Sequence, residues 1–299
     1  MAAAALLPNL QYLRVTSPHA RAQDMPLTIS ALRSLQAELH ADDVPLTANM
    51  LSWTEAQARE HFESGGASSP PLRLLCLHGG GSNSTVMAHQ VRHLQRALGG
   101  AVCECIDGAR DWPLERVPQL LQKMFGAGPY FGWYGVADDG DPARSFLDRV
   151  NDPSVAFTYT DVDAALDRVE AAIDERGPFD AICAFSQGAV VATLLTARCL
   201  ARERAGGAGP SWRRNLLFCG IPPRDARFDA LLSPPLDFPA TLVHGAQDEL
   251  MPYGRRLAEL YAVPITLEHP DGHRFPAAAG WYDAVAAELR ADLCRSIEN

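Results

Sequence analysis

Ile182-Cys183-Ala184-Phe185-Ser186-Gln187-Gly188-Ala189-Val190-Val191-Ala192-Thr193-Leu194-Leu195 is the stretch on which the reading of this chain turns. Four apolar residues lead into Ser186, and small and apolar residues follow Gly188. That pattern predicts a buried strand over 180–185, a sharp turn at Ser186 and a buried helix over 187–204. Small residues beside the serine let strand and helix approach closely and project the hydroxyl outward, the nucleophile-elbow arrangement. The hydroxyl then sits at a helix N-terminus, where unpaired N–H groups favour developing negative charge. Ala184 occupies the place of the first glycine in G-x-S-x-G. Alanine is the least bulky substitute, so the elbow is expected to close.

Outward from the elbow, apolar runs alternate with helical patterns. Strands are expected at 73–78, 101–106, 180–185, 215–219, 240–244 and 264–268, and helices at 84–98, 160–176, 187–204, 253–262 and 277–296. Nearly continuous apolar strands between helices imply an α/β fold, a mostly parallel sheet with helices on both faces. Residues 107–158 break the alternation. They are rich in Gly, Pro and aromatics, including Tyr130-Phe131-Gly132-Trp133-Tyr134, and read as an irregular lid insertion. The aromatics either line a substrate pocket or pack the lid on the body; Phe131, Trp133 and Tyr134 are the substrate-binding candidates. Residues 1–70 read as an N-terminal helical extension and linker, with helices near 27–40 and 53–63, ahead of a domain over 71–299.

Composition narrows the function class. The 299 residues are 47% hydrophobic and 21% charged, with net charge −10, an ordinary globular balance without a nucleic-acid-binding stripe. The basic cluster from Arg198 to Arg214 reads as a solvated helix end. The seven cysteines form no spaced framework, and five of them (Cys76, Cys103, Cys105, Cys183, Cys219) fall in apolar strand-like runs, where a free thiol is a small buried hydrophobe. No apolar run reaches the ~18 residues of a membrane span. A cytoplasmic location is expected, with an organelle as the alternative because residues 1–23 hold arginines and no acid.

A serine hydroxyl needs a base, and the base needs an orienting carboxylate. On this fold they follow the nucleophile in the order acid, then histidine. His273, in Gly272-His273-Arg274-Phe275-Pro276, is the preferred base and His269 its competitor. Asp248, just past strand 240–244, is the preferred acid, against Glu249 and Asp271. An oxyanion hole is expected from Gln187 N–H and a glycine amide of Leu77-His78-Gly79-Gly80-Gly81, Gly80 first and Gly81 next. Gly79 and Gly81 join the substrate-binding candidates because glycine lets the backbone approach a substrate. No metal site is expected, since a His269/His273 pair lacks a third ligand.

Jointly, Leu75-Cys76-Leu77-His78-Gly79, Gly177-Pro178-Phe179-Asp180, Phe185-Ser186-Gln187-Gly188-Ala189, His244-Gly245-x-x-Asp248 and Gly272-His273-x-x-Pro276 resemble the FSH family of serine hydrolases. The likeness covers about 72–296. It implies an α/β-hydrolase fold, the triad Ser186, Asp248 and His273, and action on carboxylic esters or thioesters, often of medium to long acyl chains. The expectation is therefore a cofactor-free esterase or thioesterase with a small-molecule substrate and an unassigned oligomeric state. Two other readings use the same residues: an acyltransferase with the same acyl-enzyme, and a non-catalytic hydrolase-fold protein that binds a ligand.

Overall fold

The computed structural model describes residues 27–293, apart from 45, 47–49, 51, 52, 54, 64, 65 and 67–70. The transit-like segment and the linker before residue 71 lie outside the described residues.

Two N-terminal helices, α1 (Ile29–Glu38) and α2 (Glu55–Glu63), come first. The Thr28 side chain caps α1 by accepting the Ala31 N–H at 3.1 Å. Both helices bury their apolar faces in a small core of their own that includes Leu32, Leu35, Trp53 and Phe62.

The body begins with β1 (Arg73–Leu77), α3 (Ser84–Ala97) and β2 (Val102–Ile106). The long insertion follows. It is more regular than its composition suggests, with β3 (Arg110–Asp111), α4 (Gln119–Phe125), β4 (Phe131–Gly132), β5 (Gly135–Asp138), α5 (Phe146–Val150) and β6 (Phe157–Thr160). β3 pairs antiparallel with β4, and β5 with β6. Then come α6 (Val162–Arg176), β7 (Ala181–Phe185), α7 (Gln187–Arg204), β8 (Arg214–Phe218), β9 (Ala240–Gly245), α8 (Met251–Glu259), β10 (Pro264–His269) and α9 (Tyr282–Leu293).

The central sheet is six-stranded, in the order β10-β9-β8-β7-β1-β2. Every neighbouring pair in it is parallel. Side chains alternate faces along each strand. Leu75, Leu77, Ile182 and Ala184 join the core under α6, α7 and α8, while Leu74, Cys76, Cys183 and Phe185 join the one under α3 and α9. β7 lies mid-sheet and is buried at every residue, and α7 buries an unbroken run from Gly188 to Ala197. That is why neither shows a polar face in the sequence. Cys103 and Cys105, expected to be buried, are only half-buried because β2 is an edge strand. Arg214, expected on a solvated helix end, is instead buried in β8, where it donates to Thr241 Oγ1 at 2.7 Å. Among the described residues no helix is long and apolar enough to cross a membrane.

Candidate active site

β7 ends at Phe185 and α7 starts at Gln187, so Ser186 alone makes the turn. Its φ of 49° and ψ of −113° are unusual for a residue with a Cβ. Such a conformation costs ~1–3 kcal/mol and persists where the surroundings enforce it. Here the Ser186 N–H donates to Phe218 O at 2.9 Å, tying the turn to β8. A Cβ on Gly188 would lie 2.7 Å from the carbonyl oxygens of both Leu77 and His78. Only glycine lets α7 start this close to the end of β1. Ala184 is fully buried in the core, so the missing first glycine leaves the turn intact.

The two loops that follow β9 and β10 meet beside Ser186. Ala246 N–H donates to His269 O at 2.7 Å and Gln247 N–H to Asp271 O at 3.1 Å. His273 Nε2 lies 3.0 Å from Ser186 Oγ, and His273 Nδ1 lies 2.8 Å from Asp248 Oδ2. The other carboxylate oxygen of Asp248 accepts the Leu250 N–H at 2.9 Å. The Asp248 side chain is 2% exposed and that of His273 34%, so the acid is dry and the base reaches solvent. Burial pushes the Asp248 carboxyl up, but the hydrogen bond and charge of His273 outweigh it and leave the pKa below the usual carboxylate value. The Phe185 ring sits 5.2 Å from both the His273 and Phe275 rings and backs the histidine loop.

The competing residues lie elsewhere. His269 is buried, and its Nδ1 accepts the Asp271 N–H at 3.3 Å. Asp271 accepts the Ala277 N–H at 2.9 Å and braces the loop. Glu249 points to solvent. Cys219, unremarked in the sequence beyond its apolar run, adopts φ 49° just after β8. Its Sγ, a carboxylate oxygen of Asp248 and a ring nitrogen of His273 all lie within 4.8 Å of one another. Burial and the Asp248 charge push this thiol up to about 12, so it stays protonated. These three could offer ligands to a metal, but the Asp248–His273 hydrogen bond already occupies two of the donor atoms.

Among the described residues, neither the Gly80 nor the Gln187 amide donates to a protein acceptor, and both residues line one cavity with Ser186 and His273. Gly81, the alternative, spends its N–H on Phe131 O at 2.9 Å. The glycine turn is held from below by His78. Its Nε2 accepts the Gly108 N–H at 2.9 Å, which leaves the proton on Nδ1, 2.7 Å from Gly79 O. The Gln187 side chain holds the insertion: Oε1 accepts the Trp133 N–H at 2.8 Å and Nε2 donates to Tyr134 O at 3.0 Å.

The cavity measures about 810 Å³. Of the substrate-binding candidates, only Tyr134 lines it; Gly79, Gly81, Phe131 and Trp133 do not. Gly79 packs against the Phe185 ring, so closely that an added Cβ would lie 2.7 Å from it. Phe131 pairs through its backbone with Ser82, and Trp133 is buried with its indole N–H on His78 O at 2.7 Å. These groups build the wall behind the cavity. The lining that sequence reasoning missed includes Trp112, Phe157, Tyr159, Ile221 and Arg224. Ile221 and Arg224 lie in the loop after β8, and loops at the carboxyl ends of parallel strands are where such sites form. Position in the alternation was their one available signal.

A model of the serine hydrolase (FSH1) family matches residues 68–285. The chain belongs to this serine hydrolase family. One relative, human esterase OVCA2, is 31% identical over 221 residues, covering 71% of this chain and 93% of its own length. Esterase C25G4.2 of Caenorhabditis elegans is 28% identical over 250 residues, covering 78% and 99%. Among solved structures, maize acyl-protein thioesterase 2 aligns with a TM-score of 0.47 at 19% identity, covering 76% of this chain and 96% of that one. The FSH1 match spans the sheet, the insertion and the loops that carry Ser186, Asp248 and His273.

Proposed function

We propose that this serine hydrolase cleaves carboxylic esters or thioesters through an acyl-enzyme on Ser186. The observation that carries the reading is the unbroken series Asp248–His273–Ser186, at 2.8 and 3.0 Å, opening into a cavity beside two unused amides. The esterase names of the relatives support it.

The roles follow from the atoms. Ser186 Oγ attacks the carbonyl carbon as its proton passes to His273 Nε2. The former carbonyl oxygen becomes an oxyanion that accepts from the Gly80 and Gln187 N–H groups. Asp248 holds the Nδ1 proton and stabilises the imidazolium. Collapse breaks the bond to the alcohol or thiol, which leaves with the proton from Nε2. Water then enters by the same base, breaks the acyl–Ser186 bond and releases the acid. A cavity of about 810 Å³ has room for a medium to long acyl chain. We assign this chemistry to residues 71–299 and treat residues 27–66 as a separate helical module, as their own small core suggests.

The test is turnover of p-nitrophenyl esters from two to sixteen carbons, with fluorophosphonate labelling alongside. The wild-type protein is expected to label and to show one preferred chain length. Ser186→Ala is expected to lose labelling and to fall by ~10⁴-fold or more in kcat, because the triad acts as a unit. Labelling that persists in Ser186→Ala would place the nucleophile elsewhere.

A further inference from the structure

Four arginines line the cavity that holds Ser186: Arg110, Arg116, Arg149 and Arg224. In a chain of net charge −10 this is a local inversion of sign. Two of the four are neutralised beside the cavity, Arg110 by Asp161 at 2.7 Å and Arg149 by Asp138 at 2.8 Å. Arg116 and Asp111 both sit exposed on the lining and form no ion pair among the described residues, so their charges offset one another.

Arg224 has no such balance. Its guanidinium donates to main-chain carbonyls only: Val150 O, Asp152 O at 2.9 Å and Val155 O at 2.8 Å. The neighbouring Asp225 is taken by Arg227 at 2.6 Å. The guanidinium carbon stands 4.4 Å from the Phe157 ring centroid and 5.5 Å from that of Tyr253. Carbonyls and ring faces fix the group in place without cancelling its charge. A guanidinium has five N–H donors, so donors remain after the three bonds made here. A half-buried, immobilised cation in a partly apolar wall is a strong anion receptor, because little solvent screens it and little order is lost on binding. Tyr159 sits alongside, its hydroxyl accepting the Arg224 main-chain N–H at 2.8 Å.

We propose that the substrate carries an anionic group, a carboxylate or phosphate, which Arg224 receives while Ser186 attacks an ester or thioester carbonyl of the same molecule. This rests on the hydrolase reading of Ser186. The anion belongs either to the far end of the acyl chain or to the alcohol or thiol that departs. The apolar part of the lining, from Trp112 to Val190 and Leu250, takes the carbon skeleton between the two ends.

Three chromogenic esters test this. p-Nitrophenyl hexanoate is neutral, p-nitrophenyl hydrogen adipate carries a carboxylate at the end of the acyl chain, and the hexanoate ester of 4-hydroxy-3-nitrobenzoate carries it on the leaving group. Each kcat/KM is divided by that ester's own hydroxide rate. One charged ester is expected to exceed the neutral one by about tenfold or more, the scale of a charge-assisted hydrogen bond. Which one it is tells which part of the substrate bears the anion. The preference is expected to collapse in Arg224→Gln, to survive in part in Arg224→Lys, and to weaken as salt is raised. If Arg224→Gln does not fold, the wild-type protein still decides: the anion hexanoate is expected to inhibit hydrolysis of the neutral ester about tenfold more tightly than the neutral hexanamide does. Turnover of the neutral ester with no preference for either charged one, equal inhibition by hexanoate and hexanamide, or a preference unchanged in Arg224→Gln would each overturn the proposal. A protein that neither labels with fluorophosphonate nor cleaves any of the three would instead bring down the hydrolase reading, and this one with it.

Discussion

At the scale of the residue, Gln187 has two separate tasks. Its main-chain N–H is the proposed oxyanion donor in a residue that lines the cavity, while its side-chain amide clamps Trp133 N–H and Tyr134 O of the insertion. The proposed oxyanion donor and the segment that walls the cavity are thus fixed by one residue. Gln187→Leu keeps the main-chain donor and the bulk but removes both clamp bonds, leaving a buried N–H without an acceptor. That loss costs ~1–3 kcal/mol. Chemical unfolding is expected to show a loss of this size. Because the amide of residue 187 is then less firmly placed, kcat is expected to fall while KM for a small neutral ester changes little. A variant with lower stability and unaltered kcat would reduce the clamp to a structural bond. The proposed main-chain role could be expected from the sequence, since the residue after an elbow serine is where that donor belongs in such a turn. The side-chain role was not legible, because its partners lie 53 and 54 positions away in a segment without periodicity.

At the scale of the element, the alternation of strand and helix could be read in advance because each central strand is covered on both faces and so is nearly continuous in apolar residues. The edges were harder. β10 carries Thr266 and Glu268 exposed to solvent, and β2 opens with an exposed Val102, so burial there follows position in the sheet, which no single strand encodes. The insertion hid two antiparallel pairings because two- and four-residue strands have no measurable period. Its attachment to the body is electrostatic as well as apolar. Asp225, after β8, accepts the Tyr159 N–H of β6 at 2.7 Å and pairs with Arg227, which also donates to Tyr159 O at 2.6 Å. The side-chain bond from Arg227 dominates over burial and brings the Asp225 carboxyl down to about 2. A depressed carboxylate pKa stabilises the fold above the unfolded value near 3.8 and loses that contribution as pH falls towards about 2. Asp225→Asn is expected to flatten the stability profile across that window and to loosen β6, which hydrogen exchange at Tyr159 would report. The central elements allow a second prediction. Gly188→Ala drives a methyl group against two main-chain oxygens that cannot move without shifting β1. The expected loss is at least the ~1–3 kcal/mol of an overpacked core. Activity is expected to drop further than stability, because α7 carries the Gln187 amide.

At the scale of the whole molecule, three histidines other than His273 are buried at or near the carboxyl ends of the sheet strands: His78 after β1, His244 in β9 and His269 at the end of β10. Each has a reason to be neutral. His78 uses one ring nitrogen as acceptor and one as donor under the glycine turn. His244 is pressed against Gly254, where an added Cβ would lie 2.4 Å from its Nδ1. His269 accepts the Asp271 N–H. Burial lowers all three below the ordinary value of 6.5. In the unfolded chain the same rings take up protons as pH drops through that value, whereas in the fold they do so only at lower pH. A depressed histidine therefore favours the fold fully above pH 6.5 and progressively less below it, by up to roughly 1.4 kcal/mol per pH unit for each ring. The melting temperature is expected to be level from pH 8 to 7 and to decline between pH 6.5 and 5, well before the Asp225 and Asp248 carboxylates titrate. Unfolding in that range should absorb protons, measurable as a dependence of the calorimetric enthalpy on the ionisation enthalpy of the buffer. His244→Gln, which removes one titrating ring away from the Ser186 contacts, should lower the proton uptake and flatten the decline. A melting temperature that holds from pH 8 to 5 would mean that these rings accept protons inside the fold, and that the architecture around the site tolerates charge there.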